Sequence, residues 1–348
     1  LNTQSVFDLE LHELEELVER IEHHPYRARQ IWHGLYTELA PSYDAITSLS
    51  KKLRTSLAQL LPFNQPRVVN VIKSADKRTS KILFELSDNE AIEAVLMLYN
   101  KRRTICISTQ VGCAMGCAFC ATGKSGFTRN LSPGEIVSQV VSFARLLASR
   151  GEKITNVVYM GMGEPFLNYD AVMKSIRILN DHQGFNLGAR SFTISTVGIV
   201  PGIERFAQEN TQVNLAISLH TADDRLRTQL VPINRTYPLS QLMTACRNYI
   251  KVTHRRLTFE VVLIDKVNDR ISDAQKIADL LSGMLCHVNL IALNPIPESS
   301  FRPSSREQVD AFAQKLIDEG INTTIRVERG INIAAACGQL RKRLPKMG

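Results

Sequence analysis

The sequence predicts an α/β protein: a partial, open parallel β/α barrel with a helical accessory domain at its N-terminus. Beyond residue 102, short apolar strand-like runs alternate with amphipathic helical stretches, the pattern of a parallel sheet covered by helices. Six or so such units are too few for a closed eightfold barrel. Ahead of them, residues 1–64 show only helical periodicity and residues 65–101 only short β-like runs.

Within residues 1–64, Leu11, Leu14, Leu17, Val18 and Ile21 recur at helical spacing. "PYRARQIWHGLY" opens a second helix with Pro25 near its start, and "LSKKLRTSLAQLL" makes a third. Pro62 and Pro66 punctuate the exit. The connecting segment, 65–101, holds "RVVNVIK", "KILFEL" and "AIEAVLMLY", with "SDN" at 87–89 reading as a hairpin turn. In 102–328 the strands are "RTICIST" (103–109), "ITNVVYM" (154–160), "SFTISTV" (191–197), "VNLAISL" (213–219), "LTFEVVLI" (257–264), "HVNLIAL" (287–293) and "NTTIRV" (322–327). Stretches such as "SPGEIVSQVVSFARLLASR" and "SREQVDAFAQKLIDEG" supply the helices between them, and 329–348 is a tail.

Composition is that of a globular chain, with 44% hydrophobic and 22% charged residues among 348. No apolar stretch approaches the ~18 residues needed to span a membrane. The acidic, amphipathic start lacks a signal-peptide pattern, so a cytoplasmic, monomeric protein is the expectation. A net charge of +8 suits an anionic partner such as nucleic acid. Seven cysteines, three of them clustered, point to metal or redox chemistry rather than a disulfide framework.

The cluster is "QVGCAMGCAFCATGKSG", with Cys113, Cys117 and Cys120 at i, i+4 and i+7. On a helix they would line one face, as a buried stripe. Gly112, Gly116 and Gly123 argue instead for a loop folded around something. A structural zinc with a distant fourth ligand is the second alternative, and it would make the chain a non-catalytic zinc-stabilised RNA-binding protein. Other unusual residues also fall where strands end: "GMGEP" (161–165), Ser195, "SLH" (218–220) and Asn294-Pro295. Parallel barrels place their chemistry at those carboxyl ends. "GMGEP" is not a dinucleotide loop, because Phe166 stands where a third glycine belongs, and no Walker A motif exists.

The Cys-x3-Cys-x2-Cys spacing resembles the radical SAM signature. From Arg103 to Leu340 the chain resembles, more closely, the RlmN/Cfr family of RNA adenosine methyltransferases. The motifs "QVGCAMGCAFCATG", "GFTRNLSPGEI", "GMGEPFLNYD", "STVGIVPGI", "QVNLAISLH", "PIN", "CHVNLIALNP" and "AACGQL" follow that family's order, and "YRARQIWHGLY" resembles its accessory domain. The resemblance implies that Cys113, Cys117 and Cys120 hold three irons of a [4Fe–4S] cluster. The fourth iron is left for S-adenosylmethionine. Gly163, Glu164, Ser195, Ser218, Leu219, His220 and Asn294 match that cofactor's contacts, Glu164 accepting from its amino group.

Cys337 matches the thiol that takes a methyl group from one S-adenosylmethionine. A radical from a second abstracts hydrogen from that S-methyl group, and the carbon adds to adenine. Cys106 matches the thiol that attacks the Cys337 sulfur and releases product as a disulfide forms. Taken alone, Cys106 in a strand and Cys337 among small tail residues would be packing cysteines; Cys246 and Cys286 have no further support. Glu93, an acid within an apolar strand, matches a proton-handling carboxylate. The implied substrates are 23S rRNA and tRNA, methylated at adenosine carbon 2, with an electron-donating reductant as a further partner. "GFTRNLS" and Pro165 favour this over the Cfr-like branch acting at carbon 8. Residues 1–64 would then dock RNA through Arg27, Arg29, Lys51, Lys52 and Arg54, or simply pack on the barrel. The tail departs from the family pattern in having no acid at Asn332 or Ala334.

Overall fold

The computed structural model describes residues 4–22, 24–297, 299–326 and 330–341. Parts of the N-terminal region and of the tail, and Val327 at the end of the last strand-like run, lie outside the described residues.

The N-terminal helices are α1 (Leu11–Glu22), α2 (Tyr26–Tyr36) and α3 (Lys51–Leu60). Pro25 stands immediately before α2 without a capping bond, and the Ser50 hydroxyl caps α3 by accepting from Leu53 N. Strands β1 (Arg67–Lys73), β2 (Thr79–Glu85) and β3 (Ala91–Leu98) form an antiparallel meander. Its 87–89 turn closes with Asn89 at φ 64°, a left-handed conformation that asparagine tolerates.

β4 (Arg103–Cys106) pairs antiparallel with β3 and parallel with the strand on its other side. A small hairpin, β5 (Gln110–Gly112) and β6 (Phe127–Asn130), flanks the cysteine loop and the short α4 (Ala121–Lys124). The rest alternates: α5 (Pro133–Ala148), β7 (Asn156–Tyr159), α6 (Tyr169–Asn180), β8 (Phe192–Thr196), α7 (Val200–Ala207) and β9 (Asn214–Ser218). Then follow α8 (Asp224–Leu230), α9 (Leu239–Thr253), β10 (Leu257–Leu263), α10 (Ile271–Leu281), β11 (Cys286–Ala292), α11 (Arg306–Asp318) and β12 (Thr323–Ile325).

One ten-stranded sheet runs β1-β2-β3-β4-β7-β8-β9-β10-β11-β12, parallel from β4 onward. The connecting β-segment is therefore an antiparallel extension of the barrel sheet itself. The sheet is open between β1 and β12, the partial barrel anticipated from the sequence.

Side-chain alternation decides what faces inward. In β8, Phe192 and Ile194 are fully buried on one face, while the half-buried Thr193 and Ser195 share the other. Register sets Ser218 of β9, Glu260 of β10 and Asn289 of β11 side by side.

The helical region is docked on α5 and α6. Asp8 accepts from Gly134 N at 2.6 Å, Trp32 Nε1 donates to Asp181 at 3.1 Å, and Lys174 pairs with Glu13 at 2.7 Å. A Cβ on Gly134 would lie 2.8 Å from Asp8 Oδ1, so only glycine permits this approach. Of the cations expected to dock RNA, Arg29 pairs with Glu15 and Arg54 folds inward to donate to Asp44 O. Arg27 donates to Gln30 and Ser48 O, and Lys51 and Lys52 are exposed.

Candidate active site

The cysteine trio lies in a loop between β5 and α4, which removes the helical-stripe alternative. Gly112 sets the loop's entry at φ 76°, where a Cβ would sit 1.9 Å from Gly126 O. Cys113 N donates to that same carbonyl at 2.9 Å, closing the loop's base. Burial pushes the Cys113 thiol up to about 12 and Cys117 well above its ordinary value, with Glu164 and the neighbouring thiols adding in each case. A bound cation would reverse that balance, because it stabilises thiolates directly.

Three soft sulfurs from one glycine-turned loop are a donor set that fits an iron–sulfur cluster. Among the described residues, no three His, Cys, Asp or Glu side chains are grouped to hold a single metal ion. A cluster asks each thiolate for a different iron, so it does not require that convergence.

All three cysteines line one cavity inside the open barrel, together with Cys106, Gly163, Glu164, Ser195, Ser218, His220, Asn294 and Cys337. Leu219 and Glu93 do not. The Leu219 side chain, just past the end of β9, is fully buried in the core. Glu93 faces the tail: its carboxylate pairs with Lys81 at 2.8 Å and accepts from Arg341 N at 2.9 Å.

Glu164 ties two strand ends together. Its Oε1 accepts from Phe166 N at 3.0 Å and its Oε2 from Val197 N at 2.9 Å, leaving further lone pairs for a ligand. Burial raises its carboxyl to about 7, against those hydrogen bonds. Gly163 at φ 105° lies so close to Gln110 and Thr109 that a Cβ would fall 2.7 Å from both. His220 Nδ1 accepts from Val262 N at 3.2 Å, and burial followed by nearby Arg227 lowers the ring to about 3. The ring is therefore neutral with its proton on Nε2, and Phe119 of the cysteine loop packs edge-on against it at 4.8 Å. Asn294 donates to Cys337 O at 3.2 Å, while its buried Oδ1 has no partner among the described residues, an acceptor left for a ligand.

Cys106 sits between β3 and β7, opposite Val95 and Val158. Burial pushes its thiol up to about 12; the Cys337 sulfur adds to this and Arg326 opposes it. All seven cysteines are unpaired.

Sequence reasoning missed Glu260 and Arg326, which line the cavity, and the fully buried Arg227. Arg326 is held strongly protonated by Cys337 first, then by Glu260 and others. Glu260 accepts from Asn289 at 2.8 Å. The signal that singled out Glu93, a charged residue inside an apolar strand, was also present in "LTFEVVLI" and "NTTIRV".

An open parallel barrel with a cavity-lining thiol trio at its strand ends, beside ligand-ready polar groups, defines a radical SAM protein. A family model of the radical SAM superfamily matches residues 107–281, and one described as the ribosomal RNA large subunit methyltransferase N-terminal domain matches 4–62. A "Probable dual-specificity RNA methyltransferase RlmN" from Chloroflexus aurantiacus is 48% identical, over 99% of this chain and 94% of that protein. One of the same description from Geobacillus kaustophilus is 46% identical, over 97% and 92% respectively. The crystal structure of a radical SAM methyltransferase from Sphaerobacter thermophilus superposes with a TM-score of 0.96 at 52% identity, covering 97% of this chain and 99% of that one. The chain belongs to the RlmN family of radical SAM methyltransferases. The alternative of a non-catalytic zinc protein falls with that membership. No helix among the described residues is long and apolar enough to cross a membrane.

Proposed function

We propose that the protein methylates carbon 2 of an adenosine in 23S rRNA, and of one in the tRNA anticodon loop. Cys337 is its methyl-accepting thiol and Cys106 the thiol that releases product. The observation that carries this is convergence: Cys106 from β4 and Cys337 from the tail line the cavity that also holds Cys113, Cys117 and Cys120. When bound, a [4Fe–4S] cluster and S-adenosylmethionine, two per turnover, supply the methyl group and the hydrogen-abstracting radical, with an external reductant providing the electron.

The chain's own groups then have distinct tasks. Cys113, Cys117 and Cys120 hold the cluster. Glu164, Ser195, the Ser218–His220 segment and Asn294 bind S-adenosylmethionine, and Gly163 lets the backbone approach closely. Arg326 places a cation beside Cys106 and Cys337; at Cys106 it opposes, without cancelling, the rise that burial gives the thiol. The proton-handling role of Glu93 carries a condition. Its carboxylate reaches the cavity only once it gives up Lys81 and the Arg341 amide. The unpaired cysteines suit a reducing compartment, and we place the protein in the cytoplasm.

The test is nucleoside mass spectrometry of 23S rRNA and tRNA after anaerobic incubation with the reconstituted enzyme, against 2-methyl- and 8-methyladenosine standards. 2-Methyladenosine is expected. 8-Methyladenosine would move the chain to the Cfr-like branch, and unmodified RNA would end the reading.

A further inference from the structure

The loop bearing Cys337 is held on both flanks by one buried ion pair that lies outside the cavity lining. Lys81 on β2 and Glu93 on β3 are diagonal neighbours on one face of the hairpin, since Lys81 opposes Val95 and Glu93 opposes Leu83. Their charged ends meet at 2.8 Å, and both side chains are about nine-tenths buried. Each also reaches the tail. Lys81 Nζ donates to Ala334 O at 3.1 Å, ahead of Cys337, and Glu93 Oε2 accepts from Arg341 N at 2.9 Å, after it.

The opposite side of the loop is bonded to the cysteine-trio segment. Ala121 N donates to Gly338 O and the Thr122 hydroxyl to Leu340 O, each at 2.7 Å. A pair serving only the sheet would have no reason to leave an oxygen and a proton for two tail peptides. A hydrophobic pair could pack the hairpin equally well but could bond neither.

We propose that Lys81 and Glu93 form a single clasp on the β2–β3 hairpin that holds the Cys337 loop closed over the cavity, a positioning task that Glu93 serves until it is released for proton handling. The functional meaning rests on the reading of Cys337 as methyl acceptor; the clasp itself does not. Hydrogen–deuterium exchange on the full, cluster-loaded chain separates the two.

In Lys81→Met and in Glu93→Ala, amides of 334–341 should exchange at least about tenfold faster than in the parent, the loss expected for a charge-assisted bond. Peptides from β8 to β11 should be unchanged, and the double variant should be no faster than either single one. An unchanged tail in the single variants, acceleration spread evenly over the chain, or additive effects in the double variant would each overturn the clasp. In the same samples, mass spectrometry of Cys337 after incubation with S-adenosylmethionine reads S-methylation. Its absence in the parent would count against the proposed function, while the exchange comparison still decides the clasp.

Discussion

Replacing Arg227 by methionine should loosen the two strand ends that carry Ser195 and Ser218–His220. Arg227 is fully buried on α8, and its guanidinium makes four hydrogen bonds: Nε to Leu219 O at 3.2 Å, Nη1 to Asn234 Oδ1 at 2.7 Å, and Nη2 to Val197 O at 2.7 Å and Ser218 O at 3.1 Å. The Val197 segment is gripped twice, since Glu164 takes the Val197 N–H that Arg227 leaves free. At ~1.5 kcal/mol for each charge-assisted bond, the set contributes roughly 6 kcal/mol. Burial opposes this, drawing the guanidinium well below its ordinary value to about 10. That shift corresponds to about 3 kcal/mol of cost.

The net loss expected for Arg227→Met is therefore about 3 kcal/mol in urea unfolding. Equilibrium dialysis with labelled S-adenosylmethionine should show affinity down about tenfold or more, because both strand ends shift. Arg227→Lys should recover only part of either quantity, since one ammonium cannot reach oxygens on both strands. A methionine variant that unfolds within about 0.5 kcal/mol of the parent and binds the cofactor equally would refute the reasoning.

Alanine at Cys113, Cys117 or Cys120 should each abolish the reconstituted cluster, read as iron and sulfide content and by electron paramagnetic resonance; a retained reducible cluster in any one would remove the ligand assignment. Glu164 makes a pH prediction. Its folded carboxyl, raised by burial to about 7 from 4.5, keeps a proton that the unfolded chain has released, so stability falls as pH rises through that window and is level above it. Relative to Glu164→Gln, the cluster-free parent should lose about 3 kcal/mol between those pH values, and parallel curves would show the carboxyl to be unperturbed. Cys106→Ala should cost about 1 kcal/mol or less, because the thiol borders a cavity. Under the proposed mechanism it should also accumulate RNA joined to Cys337, seen on denaturing gels; normal turnover would end the two-thiol scheme.

Spacing and periodicity act over a few residues, and they were enough to define the trio loop, the strand ends at Ser195 and Ser218, and the alternation that makes a parallel sheet. The glycines around Cys113 announced a loop because only a glycine at position 112 clears Gly126 O, a constraint written in the chain itself. The partners of polar groups were not legible in this way. Glu93 reads as a strand acid, but only the returning tail decides that it meets Lys81 and the Arg341 amide instead of open cavity. Arg227 looks like one more cation on a short polar helix until folding buries it against carbonyls from two other strands. Cys106 and Cys337 likewise become neighbours only because the tail crosses back to the inner face of β2 and β3. Local sequence determines which backbone conformations and faces are favourable. Which distant charge, carbonyl or thiol a buried group must satisfy is decided by desolvation, and that exists only once the segments have packed.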